Sequence, residues 1–275
     1  MFIVENKKRE KNMKKRINTI KQIYDKLLET YSYQGWWPLF NLKEKNMVKS
    51  YLNENNLEDN IENNIENKKN ENEKIINGYH PKDYSYPKTE IEQFEIILGT
   101  ILTQNTNWTS VEKSINNLNK LTGKTNAENI LKIAKNKEND FKEAIKSSRY
   151  ANQKYNYIIN ISNFYINLNG RTPKRSELLE VKGVGNETAD SILLYGYKKG
   201  EFVVDAYTRR IFEFLGHINK KDSYAKVKEL FESNLKNNYK VFQEYHGLIV
   251  EHGKNYYSKK PYASKDRVLN EFKLK

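Results

Sequence analysis

Apolar residues recur at steps of three and four along most of this chain. Between residues 91 and 102, Ile91, Phe94, Ile97, Leu98, Ile101 and Leu102 fall on one face of a helix. The same period predicts helices over 16–31, 108–121, 150–168, 186–197, 206–215, 224–235 and 239–252. Phe202-Val203-Val204 is the one strand-like run and is too short to found a sheet, so the pattern predicts an all-α protein. The stretch from Leu42 to Asn77 stands apart. Asn, Glu and Lys dominate it and Tyr51 is its only aromatic residue, so it offers little apolar surface to offset the entropy of ordering. It is expected to be a surface insertion, part helix and part flexible.

Composition narrows the partner. The 275 residues include 48 Lys and Arg against 35 Asp and Glu, a net charge of +13, which favours a polyanion such as nucleic acid. Lys, Asn, Ile and Tyr are abundant together, as an AT-rich codon supply would make them, so part of the Lys excess reflects that bias and charge alone is a weak argument. The absence of cysteine removes disulfides, thiolate zinc sites, iron–sulfur clusters and cysteine nucleophiles at once. No run of eighteen apolar residues occurs, and the N-terminus lacks the apolar centre of a signal peptide. The expectation is a cytoplasmic protein with no membrane partner, acting as a monomer.

Chemistry enters at Leu178–Asp190, LLEVKGVGNETAD: a short apolar helix, a turn through Gly183-Val184-Gly185, and a second helix. The glycines permit a tight hairpin and close approach of backbone to ligand, and the second helix begins with unpaired N–H groups and a positive dipole end, a seat for phosphate. By itself such a turn is also an ordinary helix–helix connection. Here Phe202-Val203-Val204-Asp205-Ala206-Tyr207 follows it, and the pairing is more specific than either half.

Together these segments resemble the helix-hairpin-helix DNA glycosylases of the endonuclease III superfamily. In that superfamily a hairpin ending in Gly-Val-Gly precedes a Val-Asp that carries the essential aspartate. FEIILGTILTQNTNW, from Phe94 to Trp108, resembles the family's first core helix and the loop whose Gln enters the DNA stack, and YHGLIVEHGK, from Tyr245 to Lys254, its last core helix. The resemblance implies a two-lobed fold with the base pocket between the lobes. The expected divisions are an N-terminal helix with pocket aromatics over 1–41, an insertion and linker over 42–87, a central bundle carrying the hairpin over 88–198, and C-terminal helices over 199–275. Double-stranded DNA containing a damaged base is the implied partner, with no cofactor and no metal.

Two departures select a branch. Bifunctional members carry a catalytic lysine where this chain has Glu187, so no Schiff base is expected at that position. The four-cysteine cluster that often follows the last helix is replaced by NYYSKKPY at 255–262. Gly35-Trp36-Trp37-Pro38 near the start, with Phe94 and Glu187, resembles the 3-methyladenine glycosylase III branch, whose aromatic and proline side chains line the base pocket. The implied activity is monofunctional hydrolysis of the N-glycosidic bond of alkylated bases such as 3-methyladenine. The alternatives are a glycosylase for another base, such as oxidised guanine or mismatched thymine, and a non-catalytic helix-hairpin-helix binding module.

Each implied role has a plainer alternative. Asp205 is implied as the catalytic carboxylate and, preceding a helix, is equally suited to cap it. Trp36, Trp37, Pro38, Phe94, Glu187 and Lys254 are implied pocket residues. Adjacent tryptophans also serve as core anchors, and Glu187 and Lys254 also suit the helix dipole where they stand. Gln104, Lys182, Gly183, Val184, Gly185 and Arg209 are implied DNA contacts, Gln104 by filling the hole left by a flipped nucleotide and the others at phosphates, with Lys198, Lys199 and Arg210 as further candidates. His80, His217, His246 and His252 lack metal-ligand spacing and are assigned no chemistry.

Overall fold

The computed structural model describes residues 19–42 and 77–274. Among them every regular element is a helix, in agreement with the all-α expectation. The expected insertion, 42–77, lies outside the described residues except for its two ends. The chain divides into two compact units, one of 35–197 and one of 1–34 with 198–275. The segment expected as 1–41 is thus split at Gly35, which gives Trp36, Trp37 and Pro38 to the unit that carries the hairpin.

In the 35–197 unit, α2 (Glu90–Leu102) starts at a capping box: Thr89 Oγ1 accepts from the Glu92 amide at 3.2 Å while the Glu92 carboxylate accepts from the Thr89 amide at 3.2 Å. Asn107 caps α3 (Trp108–Thr122), which ends at Gly123 in the left-handed region. Asn126 caps α4 (Ala127–Asn136), Lys137 separates it from α5 (Glu138–Ile145), and α6 (Ala151–Asn167) follows a single 3₁₀ turn. The hairpin helices are α7 (Arg175–Glu180) and α8 (Asn186–Ser191), the latter running into a π-helical turn, Ile192–Gly196. Phe94, Ile97, Leu98 and Ile101 of α2 meet Val111, Ile115, Ile130, Phe141, Ile158 and Leu193 in one buried core. Helices α4 and α5 were not expected, because their stripes (Ile130 and Ala134, then Phe141, Ala144 and Ile145) are short and set among Asn and Lys.

In the other unit α1 covers 19–31, before α9 (Ala206–Phe214), α10 (Tyr224–Glu232) and α11 (Tyr239–Tyr256). Phe202 does not pair as a strand; its ring stacks on Phe231 at 4.0 Å and meets Phe242 and Tyr245 edge-on. Tyr245 donates its hydroxyl to the Ile20 carbonyl at 2.9 Å and so fastens α11 to α1. A second tie runs through buried polar groups. His252 donates from Nε2 to Asp266 Oδ2 at 3.0 Å, and its Nδ1 accepts from Tyr31 at 2.9 Å. Asp266 also accepts from the Tyr257 hydroxyl and from the Val268 and Leu269 amides. Among the described residues no helix is long and apolar enough to cross a membrane.

Hydrogen bonds from His252 and the two amides hold the Asp266 carboxyl below its ordinary value against the effect of burial. Because the folded-state pKa lies below the unfolded one, this stabilisation is complete above the unfolded value of 3.8 and disappears as pH falls through the folded value. Asp266→Asn is expected to cost about 2 kcal/mol in urea unfolding at pH 7. The difference from wild type should shrink toward zero on acidification below pH 4. A difference that persists unchanged at pH 2 would show that the charge of Asp266 is not what stabilises this end of α11.

Candidate active site

The Trp-Trp-Pro segment is held by backbone pairing and by acids of α2. Leu39 donates to the Gly78 carbonyl at 3.0 Å and His80 to the Gly35 carbonyl at 3.1 Å, so 35–39 runs beside 78–80. Glu95, buried, accepts from the Phe40 amide at 2.6 Å, and Glu92 from the Asn41 side chain at 2.8 Å. His80 Nε2 sits 3.0 Å from the Trp37 carbonyl oxygen, and burial pushes its pKa down. Gly99 lets the Trp37 ring lie against α2, since a Cβ there would stand 3.1 Å from Trp37 Nε1.

These constraints gather an aromatic cluster. Trp36 and Trp37 meet edge to face at 5.8 Å, and Trp108 stands 5.3 Å from Trp37 and 6.1 Å from Trp36. Tyr195 and Tyr79 complete it, at 5.4 Å from Trp37 and 5.9 Å from Trp36. Pro38 is buried next to them. Phe94, expected with these rings, instead points into the core, fully buried and 5.2 Å from Tyr165. Trp108, at the first position of α3, is the aromatic that joins the tryptophans. Its Nε1–H is buried with no acceptor among the described residues. The sequence carried a signal for it, the end of the TQNTNW loop, that the helical stripe of α2 obscured.

The hairpin depends on Gly183. Its φ is +104°, and a Cβ there would meet the Tyr157 ring at 2.3 Å. Gly185 differs: a Cβ would enter open space, so nothing among the described residues requires glycine there. Val184 is turned inward and its amide closes onto the Val181 carbonyl at 2.9 Å, so it pins the turn and has no donor to offer phosphate, contrary to expectation. Lys182 is exposed, and its carbonyl accepts from Asn160 at 3.1 Å. Arg175 spans the hairpin, bonding the buried Asp190 through Nε at 2.7 Å and Asn186 at 2.8 Å. Gln104 is folded onto the same turn, donating to the Gly183 carbonyl at 2.9 Å and to Thr188 at 3.1 Å. Glu187 is exposed in the first turn of α8.

In the unit of 1–34 and 198–275, Asp205 is half-buried at the N-cap of α9. One oxygen, Oδ1, accepts both the amide and the hydroxyl of Thr208, each at 2.7 Å. Among the described residues Oδ2 takes no hydrogen bond. The buried run Phe202-Val203-Val204 anchors the approach, and Gly253 allows the Tyr207 ring to lie directly on α11. Behind the cap, burial lowers the pKa of His246 while the Asp205 charge opposes that shift. Arg209 donates to the Asp222 carbonyl at 3.0 Å, and Arg210 to the Tyr257 carbonyl at 3.0 Å. Lys254 is exposed at the last turn of α11, 3.3 Å from Glu251. No group of three or more His, Asp or Glu among the described residues is arranged to hold a metal ion.

The two hairpin glycines are expected to respond differently to a methyl group. Gly183→Ala should lower stability by about 1–3 kcal/mol, from strain at positive φ and the clash with Tyr157. Gly185→Ala, at φ −95°, should unfold at the wild-type temperature within error. Equal losses in thermal melts of the two variants would contradict the packing described.

Comparison with known proteins is consistent with this geometry. The family profile described as HhH-GPD superfamily base excision DNA repair protein matches residues 98–237. A putative DNA repair glycosylase of Methanocaldococcus jannaschii is 40% identical over 201 residues, covering 68% of this chain and 87% of that relative. Endonuclease III of Sulfolobus acidocaldarius is 29% identical, covering 62% and 78%. Among solved structures, H. pylori 3-methyladenine DNA glycosylase bound to 1,N6-ethenoadenine aligns with a TM-score of 0.52 at 29% identity, over 63% of this chain and 92% of that one. A trapped endonuclease III–DNA covalent intermediate aligns with a TM-score of 0.56 at 18% identity, over 64% and 81%, which supports the fold alone. With a hairpin built on Gly183, a capping aspartate after a buried Phe-Val-Val and a profile match over half its length, the chain belongs to the HhH-GPD superfamily of base excision DNA repair proteins and is a DNA glycosylase of that superfamily.

Proposed function

We propose that this glycosylase is monofunctional and removes alkylated bases, such as 3-methyladenine, from duplex DNA, leaving an abasic strand intact. The observation that carries this reading is the state of Asp205. Thr208 fixes it through one oxygen, and among the described residues the neighbouring His246 does not neutralise it, since burial favours the neutral imidazole. A carboxylate so fixed stabilises positive charge developing on the deoxyribose as the bond from C1′ to the base nitrogen breaks, without reorganising during the reaction. Water adds to C1′ and gives up its proton to Asp205 or to solvent. An N3-methylated adenine already bears positive charge and departs as a neutral base, so a single carboxylate suffices.

The base class is argued from the rings. Edge-to-face tryptophans offer π-faces and edges to a flat, cationic purine, and the buried Nε1–H of Trp108 is a donor that a base acceptor can take. Trp36, Trp37, Pro38 and Trp108 are therefore the side chains assigned to base recognition, and Phe94 is not. Lys182, the Gly185 backbone and Arg209 are assigned to phosphates, where open space at Gly185 admits close approach. Glu187 carries the argument against lyase chemistry, because a carboxylate cannot form a Schiff base.

Asp205→Asn keeps a capping side chain while removing the charge. Single-turnover release of 3-methyladenine from methylated duplex is expected to fall by about 100-fold or more, with unfolding within about 1 kcal/mol of wild type and duplex binding retained. Release at close to the wild-type rate would sink the catalytic assignment and leave Asp205 as a cap.

Borohydride added during turnover should trap no covalent protein–DNA complex, and the product strand should migrate uncut until heated in alkali. A trapped adduct would show that another amine performs lyase chemistry and that the enzyme is bifunctional.

A further inference from the structure

Lys154, in the first turn of α6, has 2% of its surface exposed. Its Nζ donates to two backbone carbonyls, Leu102 at 2.7 Å and Ser148 at 2.6 Å. The two carbonyls belong to different segments. Leu102 is the last residue of α2, two before Gln104, and an ammonium there also meets the negative end of that helix. Ser148 closes the turn that leads into Arg149 and Tyr150, both at positive φ (63° and 50°), where Tyr150 is 60% exposed. Burying a lysine costs free energy that an aliphatic side chain of similar length would not incur, so the position has another use.

We propose that Lys154 is a positioning residue that clamps the Gln104 loop and the Tyr150 turn to each other, so that they meet duplex DNA as one preset surface when a base leaves the stack. The proposal rests on the glycosylase reading above for its DNA partner and goes beyond it in assigning this pair of loops and their tie. Burial, assisted by the positive charge of Arg149, brings the amine pKa down to about 8, so the clamp is an ammonium at neutral pH. Gln104 is at the same time bonded to the hairpin through the Gly183 carbonyl, which joins the clamped loops to the phosphate seat.

The test uses the full chain and a duplex holding one 1,N6-ethenoadenine, whose fluorescence is quenched in the stack and rises on extrusion. Lys154→Met is expected to bind undamaged duplex within about twofold of wild type, while the fluorescence rise, and single-turnover release of 3-methyladenine from methylated duplex, fall by about tenfold or more. Placing an abasic site opposite the lesion removes the facing base, loosens the stack that resists extrusion and should restore most of the lost fluorescence rise; a merely structural defect would not be rescued. Wild-type extrusion by Lys154→Met, or a loss that the abasic partner leaves untouched, overturns the proposal. Should Lys154→Met fail to fold, amide exchange of the wild-type protein decides: residues 103–106 and 148–151 should open at a common rate and gain protection together on undamaged duplex, and independent exchange overturns the clamp. Wild-type protein that releases no 3-methyladenine from methylated duplex contradicts the proposed function instead, and the exchange measurement, which needs no lesion, still tests the clamp.

Discussion

A single missing side chain, at Gly183, sets the geometry of the hairpin in the 35–197 unit. With φ at +104° and the Tyr157 ring where a Cβ would be, this turn exists only for glycine. Three neighbours then use its backbone. Gln104 bonds the Gly183 carbonyl, Asn160 bonds the Lys182 carbonyl, and the Val184 amide closes the turn on Val181. Arg175 and the fully buried Asp190 join α7 to α8, so the hairpin helices cannot shift independently. In the phosphate-binding role proposed for it, a turn fixed in advance loses little conformational freedom on binding.

Asp205 shows how the capping of a helix and the chemistry proposed for the same carboxylate fit together. Capping α9 consumes Oδ1 alone, and both donors come from Thr208, itself buried. The cap therefore fixes the orientation of the carboxylate without neutralising it. A charged histidine behind it would turn the pair into an ion pair and divert the field from a reacting sugar. Burial opposes that by holding the His246 pKa down. The capping role and the chemical role of Asp205, rivals when the sequence alone is considered, are thus compatible.

Most of the architecture was legible in the sequence because the long helices carry clear stripes: α2, α3, α6, α9 and α11 all lie where the apolar period put them. Helices α4 and α5 were not, since eight or ten residues give too few periodic positions to rise above Asn and Lys. The hairpin and Asp205 were visible as motifs, whereas the choice between Phe94 and Trp108 was not. Phe94 sits on the stripe that the core consumes, and Trp108 becomes a partner of Trp36 and Trp37 only through the tertiary ties of Glu95, His80 and Gly99. Nor could sequence separate Gly183 from Gly185, which look alike in Gly-Val-Gly and differ only in what stands next to them. The division at Gly35 likewise reflects pairing of 35–39 with 78–80, two segments parted by the long Asn-rich stretch.

The distribution of lysine amines bears on the absence of an amine nucleophile at 187. A depressed amine pKa in a buried setting is a common mark of a catalytic lysine. Lys154 carries that mark, with its pKa near 8, yet two carbonyls occupy its donors and almost none of its surface is open, so no sugar carbon can reach it. Lys254, by contrast, is exposed and stands 3.3 Å from the Glu251 carboxylate. A Schiff-base lysine needs both properties at once, access to the substrate and an environment that lowers its pKa. Lys154 has the second without the first, the arrangement of a device for shape rather than for bond making.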